Sequence, residues 1–194
     1  MSISLCMIVK DEEDNLERCL QSILGLVDEM IVADTGSSDG TAAIAGRYGA
    51  HVFSYRWNDS FADARNFSLA QASGDWILVM DADDALDPED RDALLALTRS
   101  GDPAVDVYCC ETLCYSGDRP DCGNILVNRN VRLIRNGKGY RYRGRIHEQL
   151  VRAGGLSGES LPMASVGIRF RHYGYLNSEI ERKGKHRRNL SLIE

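Results

Sequence analysis

The nine residues WILVMDADD at positions 76–84 decide the fold, because they join the most apolar run of the chain to three closely spaced carboxylates, Asp81, Asp83 and Asp84. A short, unbroken apolar run is typical of a strand buried on both faces of a parallel sheet. In open sheets of this kind, ligands bind beyond the carboxyl ends of the strands, where these three side chains follow. The stretch therefore predicts a buried strand that ends in an acidic ligand site.

A divalent cation is the ligand that this acidic stretch favours. Adjacent carboxylates repel each other, and Mg²⁺ or Mn²⁺ relieves that repulsion because hard cations prefer oxygen ligands. The competing interpretation is an acidic loop that caps the next helix, but Asp87, followed by Pro88 at the first helical position, already supplies that cap. An EF-hand fits poorly, since the required glycine and later carboxylate are missing. The stretch thus predicts a site for a metal and a phosphate.

Working outward, the first hundred residues repeat one unit, which is a short apolar strand, a loop and a helix. Strands are predicted at residues 3–9, 30–33, 51–53 and 76–80. Helices are predicted at residues 16–24 behind a capping box of Asp14 and Glu17, up to residue 48 before Gly49, at residues 61–72, and after Asp87. This alternation predicts the α/β class, with a Rossmann-like, mainly parallel sheet flanked by helices.

After residue 100 the pattern becomes less regular. Strands are predicted at residues 105–113, 131–134, 146–151 and 166–170, and a basic amphipathic helix at residues 179–193. Because no linker or repeat separates the parts, residues 1–194 are expected to form a single domain, in which residues 101–194 make a smaller lobe packed on residues 1–100. The last residues stop inside a helical pattern without a cap, so we expect the native chain to be longer.

The charges of the 194-residue chain are unevenly distributed, although the net charge is only −6. Residues 1–100 contain 19 acidic and 7 basic side chains, whereas residues 101–194 contain 10 acidic and 16 basic ones. This separation indicates either a cation-binding face opposite an anion-binding face or two ordinary solvated faces. No apolar run approaches the roughly 20 residues that span a bilayer, and the N-terminus lacks the pattern of a signal peptide. A soluble, cytoplasmic protein is therefore expected.

The six cysteines divide into two groups. Cys6 and Cys19 occupy apolar positions of a predicted strand and helix, which is typical of core thiols. The remaining four are clustered, but without a C-x-x-C pair or a histidine at ligand spacing; they are Cys109, Cys110, Cys114 and Cys122. Reduced thiols are accordingly favoured over a zinc site, and disulfides are not implied without a secretory context.

Two further segments carry polar side chains suited to ligand binding. The segment DTGSSDGT at residues 34–41 follows a predicted strand, so Asp34 can accept hydrogen bonds from a base or ribose while the small residues let backbone amides approach a ligand. Turns use the same residue types, which makes this segment only moderately specific. The segment at residues 63–66 places Arg65 on the helix that leads to the acidic strand. There Arg65 is suited to hold a phosphate or base, or to pair with a surface acid.

Together these segments resemble the family 2 glycosyltransferases, which have the GT-A fold and act with inversion. The matching blocks lie at residues 6–13, 34–41, 64–66, 74–78 and 81–83, and their order and spacing make the resemblance specific. It implies a DxD motif at residues 81–83, with Asp83 on the metal and Asp81 on the ribose or metal. The family more often has asparagine where Asp11 stands. The nucleotide-sugar residues that the resemblance implies are Val9, Asp11, Asp34, Ser37, Arg65, Asp81 and Asp83.

The segment GRIHEQL at residues 144–150 resembles the part of this family that supplies the catalytic base. The resemblance implies that Glu148 is the base and that the preceding glycines form a flexible loop under the donor sugar. A metalloprotease site is excluded, because its second histidine would fall on Val151. A P-loop is also excluded, since Arg145 and Ile146 replace the required lysine and hydroxyl residue. The alternative is that His147 and Glu148 are a surface pair on an edge strand.

The family resemblance also implies a histidine late in the chain that completes the metal shell. His172 fits that place, so Asp83 and His172 are the implied ligands of Mn²⁺ or Mg²⁺, and Mn²⁺ tolerates imidazole better. His147 is the second candidate for this ligand. A lone histidine is more often structural, and that alternative also stays open.

The function implied by the resemblance is inverting transfer of a sugar from a metal-bound nucleotide-diphosphate sugar to an acceptor hydroxyl, in glycan or cell-envelope synthesis. The acceptor is a glycan, a lipid-linked intermediate or a peptide, no nucleic acid is expected, and the oligomeric state is open. The basic helix with Lys183, Lys185, Arg187 and Arg188 either contacts a diphosphate, an acceptor or a membrane surface, or is simply solvated.

Two other functions compete with glycosyl transfer. A metal-dependent sugar nucleotidyltransferase shares the Rossmann-like sheet, but residues 9–13 are too acidic to cradle a triphosphate. A non-catalytic carbohydrate-binding module is the third interpretation, and the presence of Asp81, Asp83, Glu148 and His172 argues against it.

Overall fold

The computed structural model describes residues 1–121, 123–154 and 160–183. In the first half, the strands and helices are β1 (Ile3–Val9), α1 (Leu16–Ile23), β2 (Glu29–Asp34), α2 (Thr41–Arg47), β3 (His51–Ser54), α3 (Phe61–Leu69), β4 (Trp76–Val79), β5 (Asp84–Leu86) and α4 (Arg91–Ser100). The second half contains β6 (Val107–Gly117), β7 (Ile125–Arg135), β8 (Tyr140–Arg143), β9 (Gln149–Arg152), β10 (Met163–Leu176) and α5 (Asn177–Lys183). A short 3-10 turn, Pro88–Asp90, leads into α4, and Asp87 caps it as expected.

The first four strands form the parallel sheet that the sequence predicts. Their order is β3-β2-β1-β4, and all three pairings are parallel. β1 lies in the interior of this part, where Cys6 faces Ile31 of β2 on one side and Val79 of β4 on the other. The apolar runs of β1 and β4 are buried, as expected for strands covered on both faces.

The second half extends the same sheet instead of forming one of its own. β7 pairs antiparallel with β4, and β6, β10 and β5 follow in that order, which gives eight strands. Since β6 and β10 are parallel to each other and antiparallel to β7 or β5, six of the eight described strands run in one direction. The sheet is therefore mainly parallel, and β8 and β9 form a separate antiparallel hairpin beside it.

The connection from β4 to β5 shows that this sheet curls. Val79 and Asp84 are joined by five residue steps, which reach at most about 18 Å. In the sheet, however, β5 stands four places from β4, which is about 19 Å in a flat sheet with strands about 4.8 Å apart. A turn also shortens the connection, because the Asp84 amide donates to the Asp81 carbonyl. The far edge of the sheet therefore curves back toward the end of β4.

Helices cover both faces of the sheet. On one face α1 buries its apolar stripe against β1, and on the other α3 packs with Ala62 and Leu69 against β1 and β4. Each fully buried leucine or isoleucine contributes about 1.5–3 kcal/mol to this packing. Cys6 and Cys19 are buried in it, which confirms them as core thiols. Burial, with the nearby charge of Glu29, raises the pKa of Cys6 to about 12.

Several predicted boundaries differ from the structure. β5 and β8 were not predicted, and β9 begins at Gln149 instead of residue 146. β7 begins six residues earlier than predicted: its first part pairs with β6, but the apolar residues there, Ile125, Leu126 and Val127, are exposed and do not alternate with polar ones. The capping box at Asp14 is wrong: the residue before α1 is Asn15, whose side chain makes no capping hydrogen bond.

Part of the predicted basic helix can be compared with the structure. α5 spans Asn177–Lys183, where the sequence predicted a helix at residues 179–193. Lys185, Arg187 and Arg188 lie outside the described residues, as does Cys122 of the cysteine cluster. None of the described helices has both the length and the apolar character needed to cross a membrane.

Candidate active site

The carboxyl ends of β1, β2 and β4 share one edge of the sheet, because these strands are parallel. Val9 ends β1, and its carbonyl accepts hydrogen bonds from the Thr35 amide and hydroxyl. Asp34 ends β2 and accepts a 2.6 Å hydrogen bond from the Ser37 hydroxyl, which in turn accepts from the Asp11 amide at 3.0 Å. Three of the residues implied for nucleotide binding are thus joined directly.

Asp11 has a backbone conformation that suits its residue type. Its φ is 51°, in the left-handed region that aspartate and asparagine adopt more readily than most residues. Its carboxylate accepts a 2.7 Å hydrogen bond from the Ser38 amide. Aspartate therefore maintains this turn in the place where the family more often has asparagine.

Arg65 joins two carboxylates that the sequence places far apart. It lies in α3, which Ser60 caps: the Ser60 hydroxyl accepts from the Asp63 amide. The Arg65 guanidinium donates to Asp81 Oδ1 at 3.0 Å and to Glu148 Oε1 at 2.6 Å, and its side chain is only 14% exposed. Burial lowers the pKa of Arg65, but the neighbouring Asp81, Tyr142 and Glu148 raise it by more. Arg65 is thus a largely buried cation shared by the two carboxylates.

The hairpin of β8 and β9 brings Glu148 to Arg65. The Asn66 side chain of α3 donates to the Tyr142 carbonyl at 2.9 Å and accepts from the Tyr142 amide at 2.7 Å. The chain then turns at Gly144, with a φ of 108°, and at His147, with a φ of 54°. Glu148 follows this turn and its side chain is 13% exposed, so it is not a surface residue. His147 itself is exposed.

Asp83, Asp84 and His172 form a group that suits a divalent cation. Register pairs His172 of β10 with Asp84 of β5, and one ligand atom from each of the three residues lies within 4.8 Å of the others. The His172 Nδ1 atom is 2.9 Å from Asp84 Oδ1 and 3.4 Å from Asp83 Oδ1. Carboxylates and imidazole are donor types that Mn²⁺ accepts readily. The expected neighbours Asp83 and His172 are therefore close together.

The charge of His172 follows from these carboxylates. Burial lowers the pKa of His172, but the hydrogen bond with Asp84 and the charges of Asp83, Asp84 and Asp81 raise it by more.

Within the described residues no other group of three metal-ligating side chains is found. Cys109, Cys110 and Cys114 are free thiols.

Arg132 is the residue that the sequence analysis missed, and the importance of Asp84 was missed with it. Arg132 lies on β7, and its guanidinium donates to Asp84 Oδ2 at 2.6 Å. Asp84 is fully buried and Arg132 is 4% exposed. A signal for Arg132 did exist, since it is the only charged residue in the apolar run at residues 131–134. The pairing of Arg132 with Asp84, 48 residues away, has no local signal.

A cavity of about 680 Å³ brings most of these side chains together. Its wall includes Arg65, Asp81, Glu148 and His172, and the β6–β7 side adds polar residues such as Asn128. This volume lies within the range of small-molecule sites. The Asp34–Ser37 pair does not line this cavity and lies at the neighbouring strand ends of the same edge.

A mainly parallel sheet with flanking helices and an acidic carboxyl edge is the architecture of the GT-A glycosyltransferases. Residues 4–154 match the family described as Glycosyl transferase family 2, and the chain belongs to this family. The fold class inferred from the sequence is therefore confirmed.

Curated relatives cover much of the chain. The lipopolysaccharide core biosynthesis glycosyltransferase LpsC of Rhizobium meliloti is 33% identical over 79% of this chain and 58% of its own length. The glycosyltransferase SunS of Bacillus subtilis, derived from prophage SPbeta, is 30% identical over 100% of this chain and 44% of its own. A TPR repeat-containing protein of Synechococcus elongatus is 36% identical over 99% of this chain and 47% of its own. This chain thus spans about half the length of these relatives.

Solved structures that are similar to this chain include TarS of Staphylococcus aureus and a synthase of Mycobacterium tuberculosis. Staphylococcus aureus TarS, residues 1–349, is 25% identical with a TM-score of 0.49, covering 59% of this chain and 36% of TarS. Glucosyl-3-phosphoglycerate synthase of Mycobacterium tuberculosis, crystallised with Mn²⁺, UDP and glucosyl-3-phosphoglycerate, is 28% identical with a TM-score of 0.48. That match covers 57% of this chain and 44% of the synthase.

Proposed function

We propose that this chain transfers a sugar from a nucleoside-diphosphate sugar to an acceptor hydroxyl, with inversion and with Glu148 as the general base. One observation carries the proposal. Glu148, which lies 83 residues from Arg65 in the sequence, is held at 2.6 Å from it in the wall of the cavity that also contains Asp81. Membership of Glycosyl transferase family 2 supports the same assignment.

The contact with Arg65 leaves half of the Glu148 carboxylate for the acceptor. Arg65 Nε binds Oε1, so Oε2 is the oxygen to which an acceptor hydroxyl donates. As the acceptor oxygen forms its bond to the anomeric carbon, the hydroxyl proton passes to Glu148 and the bond to the nucleoside diphosphate breaks on the opposite face. No covalent intermediate with the protein is required. A positioned base of this kind contributes about 10²–10⁴ in rate.

Asp83 and His172 are the residues proposed to hold Mn²⁺ or Mg²⁺, because a carboxylate and an imidazole are donors that Mn²⁺ accepts. The cation, when bound, neutralises the charge that develops on the diphosphate leaving group. Asp11, Asp34 and Ser37 are proposed to bind the nucleoside, and Asp81 its ribose or the cation. Val9 ends the strand that positions them.

The substitution Glu148→Gln tests the proposed base. It keeps the shape of the side chain and a hydrogen-bond acceptor for Arg65, but it removes the basic oxygen. With a panel of nucleoside-diphosphate sugars, Mn²⁺ and candidate glycan, lipid-linked and peptide acceptors, we expect kcat to fall by about 10²–10⁴. The dissociation constant of the donor, measured by calorimetry, is expected to change less than about threefold, because Glu148 acts on the acceptor.

Glu89→Gln is the matched control, since Glu89 is 79% exposed and pairs with Arg169 on the surface. It should keep the turnover of the unmodified protein. If Glu148→Gln also keeps that turnover, Glu148 is not the base. If no donor of the panel yields free nucleoside diphosphate, that result would contradict glycosyl transfer itself.

A further inference from the structure

The buried ion pair of Asp84 and Arg132 has no role in the chemistry proposed above. Its two side chains are 0% and 5% exposed, and the charged atoms lie 2.6 Å apart. Removing two charges from water is costly, and apolar side chains of similar size often stabilise a core equally well. A pair at this depth therefore calls for an explanation other than stability.

Both oxygens of the Asp84 carboxylate are engaged by groups of the candidate active site. Oδ2 accepts from Arg132 and, at 2.9 Å, from the backbone amide of Asp81. Oδ1 lies 2.9 Å from Nδ1 of His172. One buried carboxylate thus fixes the turn that carries the acidic motif and the ring that faces it from β10. The hydrogen bond at Nδ1 leaves Nε2 as the nitrogen of His172 available to a ligand.

Arg132 is itself held from three directions, so its charge cannot move away. Its guanidinium donates to the Val79 carbonyl at 3.3 Å and to the Thr112 hydroxyl at 3.2 Å. It also lies over the Phe170 ring, 5.0 Å from the ring centre. These contacts reach β4, β6 and β10 from β7, across the curled part of the sheet. Arg132 therefore ties the strand that precedes the acidic motif to the strand that carries His172.

We propose that Asp84 and Arg132 are positioning residues for the cation site: Asp84 orients His172 and the Asp81 turn, and does not itself ligate the cation. The inference rests on the proposed function, because it assigns Asp83 and His172 as ligands. Histidine ligands commonly donate their second N–H to a carboxylate, which fixes the tautomer and the ring orientation. The proton of neutral His172 accordingly resides on Nδ1, where Asp84 accepts it.

Asp84→Asn is the informative substitution because an amide has only one acceptor oxygen. The amide side chain of this variant cannot accept from both the Asp81 backbone N–H and His172, so its NH₂ group faces one of them. When the NH₂ group faces His172, neutral His172 accepts at Nδ1 and carries its proton on Nε2, the nitrogen that should ligate. We therefore expect a changed His172 tautomer together with Mn²⁺ binding that is about 10–100-fold weaker, as is typical when the carboxylate behind a histidine ligand is lost.

The experiment measures the tautomer and the cation separately. Nitrogen-15 NMR of the full chain without metal, recorded at a pH above the raised pKa of His172 so that the ring is neutral, reports which ring nitrogen is protonated, with assignment from His172→Gln. Electron paramagnetic resonance gives the dissociation constant of Mn²⁺, both alone and with UDP. Because the tautomer is measured without metal or turnover, it tests the positioning role even if Mn²⁺ does not bind the unmodified protein. Failure of Mn²⁺ to bind the unmodified protein would contradict the proposed metal dependence.

Two further variants separate positioning from stability. Arg132→Met leaves the Asp84 charge buried and unpaired, so we expect it to lower the urea midpoint most. The double variant Arg132→Met/Asp84→Asn removes both charges and should recover most of that midpoint while Mn²⁺ affinity stays about 10–100-fold low. Arg135→Met is the control, because Arg135 lies on the same strand and pairs with Asp106 away from the acidic motif. It should leave the tautomer and Mn²⁺ binding unchanged.

Two outcomes would overturn the proposal. Weaker Mn²⁺ binding in Asp84→Asn with an unchanged His172 tautomer would make Asp84 a direct ligand. Unchanged tautomer and affinity in both Asp84→Asn and the double variant would make the pair a purely structural element.

Discussion

Arg65 is the residue on which the two halves of the candidate site meet. It holds Asp81 from the acidic motif and Glu148 from the β8–β9 hairpin. Desolvation raises the pKa of Asp81, but the charges of Arg65 and Arg132 and the hydrogen bond from Arg65 together lower it by more, so the net shift is downward. A carboxyl whose pKa is lowered by folding contributes stability above its unfolded pKa, near about 3.9, and loses it as the pH falls through the lowered value.

Replacing Arg65 by methionine should therefore destabilise the protein in a pH-dependent way. We expect a loss of about 2 kcal/mol at pH 7, between the values for exposed and fully buried pairs, because Asp81 is 42% and Glu148 13% exposed. The difference from the unmodified protein should shrink as the pH falls below about 3.9, the unfolded pKa of Asp81, and through the lowered pKa that Asp81 has in the fold. Urea unfolding at pH 7 and below about pH 4 measures this loss of stability.

Arg119→Met provides the comparison for this prediction. Arg119 pairs with Asp121, and both side chains are 69% exposed, so the loss should stay below about 0.5 kcal/mol at either pH. A loss in Arg65→Met that is independent of pH would assign the role of Arg65 to packing instead of charge.

Among the secondary-structure elements, the residues that lead into β4 pack very closely against β1. The Gly74 amide donates to the Ser4 hydroxyl at 2.8 Å, and Glu29 of β2 accepts hydrogen bonds from Ser4 and from the Ser73 amide. A Cβ atom at position 74 would lie 2.6 Å from the Ser4 hydroxyl oxygen and 2.9 Å from the Ser4 backbone nitrogen. Only glycine allows β4 to enter the sheet along this path.

The substitution Gly74→Ala should lower the free energy of unfolding by about 1–3 kcal/mol, because the new methyl group overlaps backbone that cannot easily move. Gly46→Ala is the control with the opposite expected sign. Gly46 lies in α2 with open space around it, so alanine should stabilise the helix by up to about 1 kcal/mol. Urea unfolding of both variants measures the effect. Equal effects of the two substitutions would refute the close approach of β4 to β1.

The elements predicted best from the sequence are those whose signal is local. Ile3–Val9 and Trp76–Val79 are continuous apolar runs, and the structure has strands there. Asp84–Leu86 was not predicted because its three residues form a strand only by pairing with residues 170–172 of β10. Asn15 was missed as the residue before α1 because its side chain makes no capping hydrogen bond; its amide donates to Glu12 and to the distant Glu179, and its oxygen accepts from the Arg18 side chain.

The same limit applies to the candidate site. The carboxylates after β4 and Glu148 were found from short motifs, and the structure places Asp81 and Glu148 on the same arginine. Arg132 belongs to no such motif, since its position matters only where β7 lies between β4 and β6. The curl that brings β5 toward the end of β4 is a property of the whole sheet, so the sequence carried no sign of the Asp84–Arg132 pair.

For the whole molecule, the two halves exchange strands. β7 of the second half pairs with β4 of the first, while β5 of the first half pairs with β10 of the second. Trp76 lies at the first of these junctions, with Arg135 4.3 Å from its ring centre and the Tyr108 ring centre at 5.7 Å. Because neither half completes its part of the sheet alone, the two halves should unfold together.

This cooperativity can be measured with one tryptophan. Trp57→Phe leaves Trp76 as the single tryptophan of the chain, and it removes only an edge contact with Phe61 and a hydrogen bond to Asp59. We expect Trp76 fluorescence and far-UV circular dichroism to give the same urea midpoint, because a two-state transition has coincident probes. Adding Arg135→Met should lower both midpoints equally, since the cation over the Trp76 ring is lost from the shared junction. Two separate steps in the dichroism, of which the fluorescence follows only one, would show instead that each half is stable by itself. The pairing of strands between the halves would then add little to the stability of the fold.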